Sequence, residues 1–507
     1  QIMAIPRWLK NNAPLLLILA VASFLVFFNL DVGPHSRNEV LSIGTSKMPW
    51  WSYWPGLENH LYNAPDQQPL YFLLLKGWIG LGLKSQYALR SLSAIFYIFG
   101  VVLFYFFSKK IRGTSLAFWA SLLFCTNFFL IDYGRYIRFY SLYLLFATGS
   151  WYFFVEFLKD HDRRNFGQWG LFTLFGLGTS IFMAVVLAIQ LFLLILYRRK
   201  GFFEFLRTNA FLGSSFLIPL LLLSAGKGFY ALYFRVADRG FNLAARRSEL
   251  WQSDGPWGFF RLFSINYNTE QFNIFLVIGF IVIFLYGLFL IRSFNRALFK
   301  TCLVAFLLSY LLHLTFRIII PLEEFEIRYF IFILPLFYIS LGFVLDSCKW
   351  FTKIPILLFL LFPQTQQLRN FYIDDFGTDF DSVVEVLKHK RYGIKLFVYD
   401  RLAYDVYVEN LSLHKYQKKV LNVFNIDSPE AKKIKFDEEV WVFEVYPKEN
   451  HFKSTEKEKM NKEFLNSLQV IEEIPIRGGQ ISSGLLLIKG RWKSLVDSMD
   501  GKAKTLE

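Results

Sequence analysis

The chain has 507 residues, 54% of them hydrophobic and 20% aromatic, and a formal net charge of +15 at pH 7. Apolar runs of about 18 residues or more recur as far as residue 363, which excludes an ordinary soluble protein and marks membrane-spanning helices. The positive charge lies in short clusters between those runs, where it sets membrane orientation, and this argues against nucleic acid as a partner.

The first run, 13–30, follows Arg7 and Lys10. It is longer than a signal-peptide core and no small-residue cleavage pattern follows it, so it is expected to stay as an anchor. Residues 31–86 form an outer loop with interfacial helices, because Pro69–Leu83 is apolar but short and carries Lys76. Further spans are expected at 87–107, 114–131, 139–157, 166–181, 182–197, 208–225, 272–291, 300–316, 329–346 and 352–363, giving about eleven crossings. As one helix, 166–197 would run about 48 Å, against a hydrocarbon core of about 30 Å. Gly176, Gly178, Thr179 and Ser180 supply the break. Cys125, Cys302 and Cys348 show no metal-ligand spacing and no disulfide framework.

Basic clusters fall at every second turn of this topology: Arg7/Lys10, Lys109/Lys110/Arg112, Lys159/Arg163/Arg164, Arg198/Arg199/Lys200, Arg292/Arg296/Lys300 and Lys349/Lys353. The positive-inside rule puts them, and the N-terminus, on the cytoplasmic side of a multi-pass membrane protein. The basic loop 226–268 falls outside, where its length weakens the rule and its charge suits an anionic headgroup. The chain then divides into a transmembrane domain, 1–363, and a soluble extracytoplasmic α/β domain, 364–507. In the latter, Ile394–Tyr399, Val440–Tyr446 and Gly484–Ile488 read as strands, and Asp381–Lys390 and Lys457–Leu468 as amphipathic helices. No Gly-rich phosphate loop and no internal repeat is found.

Ionisable residues at membrane depth are costly and mark function. Four places on the outer side carry them. Glu39, after Asn38, is a carboxylate able to act as general base toward a hydroxyl; the plain alternative is a solvated loop acid. Asp66 precedes Pro69, Leu70 and Tyr71, where capping of a helix is the competing role. Arg135 and Arg138 would share a face if their stretch is helical; guanidinium forks suit phosphate, and snorkelling in a Tyr-rich interface belt is the alternative. Arg328, before Tyr329, follows Glu323, Glu324 and Glu326 and is open to a salt bridge with one of them.

The order of these motifs resembles the GT-C superfamily of membrane glycosyltransferases, in its protein O-mannosyltransferase-like and aminoarabinose-transferase-like branch. The matching stretches are Asn38-Glu39, Asp66 with Pro69–Leu75, Ala88–Ser93 with Arg90, Arg138–Leu142 with Tyr140, and Arg328-Tyr329 with Pro335. The resemblance implies a GT-C fold and transfer of a sugar from a polyprenyl-phosphate-linked donor to an acceptor hydroxyl on the extracytoplasmic face. Partners would be membrane lipids, the lipid-linked donor, and a glycolipid, glycan or protein acceptor. The family's catalytic acid maps to Asn38, a neutral amide that cannot take a proton. The role then passes to Glu39, with Asp66 as its partner, or to Asp66 itself, or activity is altered or lost. Arg138, Arg135, Arg328 and Tyr140 would face the donor phosphate, supported by Asn38, Tyr71, Arg90 and Tyr329. Some relatives use a divalent metal, for which Glu39 and Asp66 are suitable oxygen ligands. Two competing readings are a lipid or polysaccharide transporter, disfavoured by the missing repeat, and a catalytically degenerate scaffold of the same fold, raised by Asn38.

Overall fold

The structure, a computed structural model, describes residues 7–31, 37–49, 68–197, 255–263, 274–319 and 327–373, and the C-terminal strand segments 396–398, 420–422, 439–447, 468–476 and 482–492. The chain forms two compact units, one of 1–30 with 45–369 and the other of 31–44 with 370–507.

The helical unit opens with α1 (Arg7–Phe27); α2 (Arg37–Lys47) follows in sequence, and its residues up to Gly44 belong to the other unit. Helix α3 (Pro69–Gly80) starts with Pro at N1 after Gln68, whose side chain makes no cap bond. Its first N–H groups are satisfied from elsewhere: those of Gln68 and Leu70 donate to the carbonyls of Thr179 and Gly178 at 3.2 and 2.9 Å. Helix α4 (Gln86–Arg112) is capped by Ser85, whose hydroxyl accepts from the Ala88 N–H, and ends on Lys109, Lys110 and Arg112, the charge that suits a helix C-terminus.

The expected span 114–131 is not one straight helix. Helices α5 (Thr114–Cys125) and α6 (Phe128–Arg135) meet at 62°. The reason is local: Asn127 is extended, and its side-chain carbonyl accepts from the Leu130 N–H at 2.8 Å, which starts a new helix. Helices α7 (Tyr140–Asp160), α8 (Arg163–Leu177) and α9 (Met183–Tyr197) follow, with the anticipated break between α8 and α9. There the Thr179 and Ser180 N–H groups both return to the Gly176 carbonyl at 3.0 and 2.9 Å. A Cβ at Gly176 would lie 2.7 Å from Met183 Cγ, so the glycine gives the Met183 side chain room against the end of α8.

A short 3₁₀ helix (Gly255–Phe263), α10 (Ile274–Phe294) and α11 (Arg296–Ile319) lead to a second 3₁₀ helix (Ile327–Ile333), which runs into α12 (Leu334–Ser347); α13 (Trp350–Ile373) closes the unit. Among the described residues, five helices are long and apolar enough to span a membrane, and six if the bent pair counts as one. The apolar part of α1 and α9 are shorter, and the expected span 208–225 lies outside the described residues. Of its most apolar window, 327–347 buries 89% and α10 only 33%, so the first is central and the second faces lipid. Since lipid is as apolar as leucine, packing and interhelical hydrogen bonds hold such helices together, each bond contributing about 0.6 kcal/mol. One such knot joins α7, α8 and α9: Ser150 bonds Thr173 and Gln190, and Trp169 Nε1 donates to Gln190 Oε1 at 2.8 Å.

The helices of this unit have a common polarity. At one end Arg112 pairs with Asp346 at 3.3 Å and its guanidinium lies over Phe294 and Phe343. Glu156 there holds Lys159 at 2.6 Å and Lys110 at 3.9 Å, and the Tyr197 hydroxyl donates to the Ala297 carbonyl. The basic clusters after α4, α7, α10 and α12 therefore share one end. The starts of α4 and α7 lie at the other.

The second unit contains a five-stranded mixed sheet in the order β2-β1-β3-β5-β4, from β1 (Leu396–Val398), β2 (Val420–Asn422), β3 (Glu439–Pro447), β4 (Leu468–Ile476) and β5 (Ser482–Trp492). β1 runs parallel to β2 and β3, while β5 is antiparallel to both β3 and β4. The strands expected at 394–399, 440–446 and 484–488 coincide with β1, β3 and β5. The two helices expected there lie outside the described residues, apart from Leu468, which opens β4.

Candidate active site

The end of the helical unit opposite its basic clusters gathers the motif residues. Helix α6 stops at Arg135, because Tyr136 is extended (φ −72°, ψ 138°), and α7 begins only at Tyr140. Arg135 and Arg138 therefore do not share a helix face; one closes α6 and the other sits in the link.

Their surroundings differ accordingly. Arg135, 7% exposed, donates from Nη1 to the Phe28 carbonyl at 2.5 Å and from Nη2 to the Asn29 carbonyl. Arg90, near the start of α4, donates from Nη1 to the Leu30 carbonyl at 3.1 Å. Both arginines thus cap the C-terminus of α1, where carbonyls have no helical partner and Asn29 turns left-handed (φ 51°). For Arg135, expected at the donor phosphate, and Arg90, expected in support, these bonds are structural work at the end of α1.

Arg138 is 4% exposed, with its guanidinium 6.0 Å from the Phe139 ring centre. A hydrogen-bonded chain fixes its backbone: Tyr71 Oη meets Ser93 Oγ at 2.8 Å, and Ser93 Oγ donates to the Arg138 carbonyl at 3.4 Å. Three stretches of the sequence pattern, on α3, α4 and the α6–α7 link, are tied together here. Ser93 is the residue that reading the sequence left without a role; its signal was a hydroxyl on the buried side of a helix one turn after Arg90.

Arg328 lies among aromatic rings. Its guanidinium carbon is 5.2 Å from the ring centre of Tyr140, 5.9 Å from that of Tyr133 and 6.0 Å from that of Tyr329. Tyr133 and Tyr140 meet edge-to-face at 4.9 Å, and Tyr329 stacks on Phe182 at 4.3 Å. Rings in this arrangement attract a cation to their faces and orient its guanidinium plane. Tyr133 and Phe182 carry this cage and had no predicted role. The glutamates 323, 324 and 326, the expected salt-bridge partners of Arg328, lie outside the described residues.

Glu39 belongs to the other unit. It is not a loop acid: it sits in the first turn of α2 and is 2% exposed. A carboxylate suits a helix N-terminus, but burial to this degree departs from a solvated surface acid. Asn38 precedes it, and its carbonyl accepts from Ser42 Oγ at 3.0 Å. Asp66 lies outside the described residues. Among the described residues no group of three or more His, Cys, Asp or Glu side chains is placed to hold a metal ion.

Residues 67–201 match the family model described as dolichyl-phosphate-mannose-protein mannosyltransferase, a stretch that holds Tyr71, Arg90, Arg135, Arg138 and Tyr140. No curated protein matches the sequence significantly. The fold is similar to the crystal structure of ArnT from Cupriavidus metallidurans in the apo state, at TM-score 0.54 and 11% identity, over 95% of this chain and 98% of that one. It is also similar to ArnT from the same organism bound to undecaprenyl phosphate, at TM-score 0.51 and 11% identity, over 94% and 98% of the two chains. By the family model over 67–201 and by fold along nearly its whole length, this chain resembles the GT-C superfamily of membrane glycosyltransferases, in its protein O-mannosyltransferase-like and aminoarabinose-transferase-like branch.

Proposed function

We propose that this chain is a glycosyltransferase that moves a sugar from a polyprenyl-phosphate-linked donor to an acceptor hydroxyl on the extracytoplasmic face of the inner membrane. The observation that carries this reading is the pair of arginine environments opposite the basic end: half-buried Arg328 caged by Tyr133, Tyr140 and Tyr329, and buried Arg138 held by the Tyr71–Ser93 chain. The likeness to ArnT, one of whose structures binds undecaprenyl phosphate, supports the donor class.

In this reading the Glu39 carboxylate, with Asp66 as partner, takes the proton of the acceptor hydroxyl as its oxygen bonds to the anomeric carbon. The bond from that carbon to the donor phosphate oxygen breaks, and polyprenyl phosphate departs. Arg138 and Arg328 stabilise the charge gathering on the phosphate, an electrostatic contribution largest in a water-poor site. Arg135 and Arg90 hold the end of α1, from which the segment bearing Glu39 begins. A divalent ion at Glu39 and Asp66 would add charge beside the same phosphate.

The test is release of polyprenyl phosphate by the purified protein, supplied with polyprenyl-phosphate hexoses and pentoses and with outer-leaflet acceptors. Release that requires the acceptor supports the reading. Binding of undecaprenyl phosphate with no release from any sugar donor would instead mark a degenerate relative, as Asn38 allows.

A further inference from the structure

The 62° turn between α5 and α6 is held by two buried amides. Asn127 is fully buried and Gln364, on α13, is 3% exposed. Asn127 Oδ1 accepts from the Leu130 N–H, while its Nδ2 donates to the Leu262 carbonyl at 3.1 Å and to the Tyr338 hydroxyl at 2.5 Å. Gln364 Oε1 accepts from the Phe128 N–H at 2.8 Å, and its Nε2 donates to the Phe263 carbonyl at 2.8 Å. Two N–H groups of the first turn of α6 are thus bound by side chains from the turn itself and from α13. The same two amides fasten the 3₁₀ helix 255–263.

Helix α6 is short and carries site residues at its far end. Tyr133 contributes a face to the Arg328 cage, and Arg135 grips the end of α1. Gly134 between them leaves no slack, since a Cβ there would lie 3.2 Å from the Tyr97 ring and 3.3 Å from Val26. An eight-residue helix whose first turn is held by these two side-chain hydrogen bonds transmits its direction to both residues.

We propose that Asn127 and Gln364 are positioning residues: a latch through which α13 sets the direction of α6, and so the placement of Tyr133 and Arg135. The inference rests on the donor-site reading for its functional consequence and on geometry alone for the latch.

The experiment uses the full-length protein in nanodiscs, with undecaprenyl phosphate as the probe, and two variants. Gln364→Met removes both bonds of one amide at similar volume. Asn127→Ser keeps a cap for Leu130 but cannot reach Leu262 or Tyr338. Each should weaken undecaprenyl phosphate binding about three- to tenfold, the range of one lost hydrogen bond, while binding stoichiometry stays constant. A merely structural role would lower the stoichiometry and leave the Kd alone. In parallel, nitroxide labels at Phe106→Cys and Tyr136→Cys, on a Cys348→Ser background, report the direction of α6 by electron–electron distance. The distance distribution should shift or broaden in both variants. An unchanged Kd, or an unchanged distance distribution, overturns the inference. A wild type that binds no undecaprenyl phosphate defeats the donor reading alone, and the latch is then judged on the distances.

Discussion

Arg135 closes α6 and donates to the carbonyl of Asn29, the left-handed residue that ends α1, so one guanidinium joins the end of one helix to the end of another. The companion bond to Phe28 makes this a two-point grip, with Arg90 adding a third carbonyl, that of Leu30. Hydrogen bonds from a charged donor contribute about 1.5–3 kcal/mol each when buried. Arg135→Ala should therefore lower the thermal midpoint of the detergent-solubilised protein by several degrees. Arg135→Lys, a point charge without a fork, should recover only part of it. Equal midpoints for Arg135→Ala and wild type would return this arginine to the donor phosphate.

The cage around Arg328 separates shape from charge. Tyr140→Phe keeps a ring face toward the guanidinium, and Tyr140→Leu removes it. A cation–π contact contributes about 0.5–2 kcal/mol, so Tyr140→Leu should weaken undecaprenyl phosphate binding roughly three- to thirtyfold, and Tyr140→Phe by less than about threefold. Arg328→Gln should weaken it more than either. Titration by microscale thermophoresis in nanodiscs reads all three, and equal effects for Phe and Leu would show that the ring face is not what holds Arg328.

Much of this architecture is legible in the sequence. The α8–α9 break follows from Gly176 through Ser180, because a run of that length cannot be one straight span. The capping of α4 and its basic last turn are local chemistry, and so are the alternations that became β1, β3 and β5. What the pattern hid was non-local. Asn127 reads as one polar residue in an apolar run, and its consequence, a 62° turn, depends on Leu262, Tyr338 and Gln364, which lie 135 or more positions away. Arg135 likewise has the composition of a phosphate ligand, and only the end of α1 shows that its donors are engaged.

Glu39 and Asn38 can be separated by paired substitutions. A general base contributes about 10²- to 10⁴-fold, so Glu39→Gln should cut turnover by at least a hundredfold while leaving undecaprenyl phosphate affinity within about threefold of wild type. Asn38→Asp, which restores an acid at the position where the family carries it, should leave turnover within about tenfold if Glu39 already holds the role. Full activity in Glu39→Gln would remove that residue as base. A gain of several hundredfold in Asn38→Asp would identify the natural chain as a weakened enzyme.

Orientation can be read from a native residue. Cys125 and Cys302 are buried, whereas Cys348 is partly exposed and lies beside Lys349 at the basic end. The positive-inside rule puts that end in the cytoplasm. A membrane-impermeant maleimide added to intact spheroplasts should therefore leave the wild type unlabelled, and added to inverted vesicles should label it once. Cys348→Ser should abolish the signal in inverted vesicles. With Asp400→Cys on that background, the pattern should reverse, because the segment after the last span is expected outside. Labelling of Cys348 in intact spheroplasts would invert the whole assignment. The Arg328 cage and Arg138 would then face the cytoplasm, and the donor would have to be drawn from the inner leaflet.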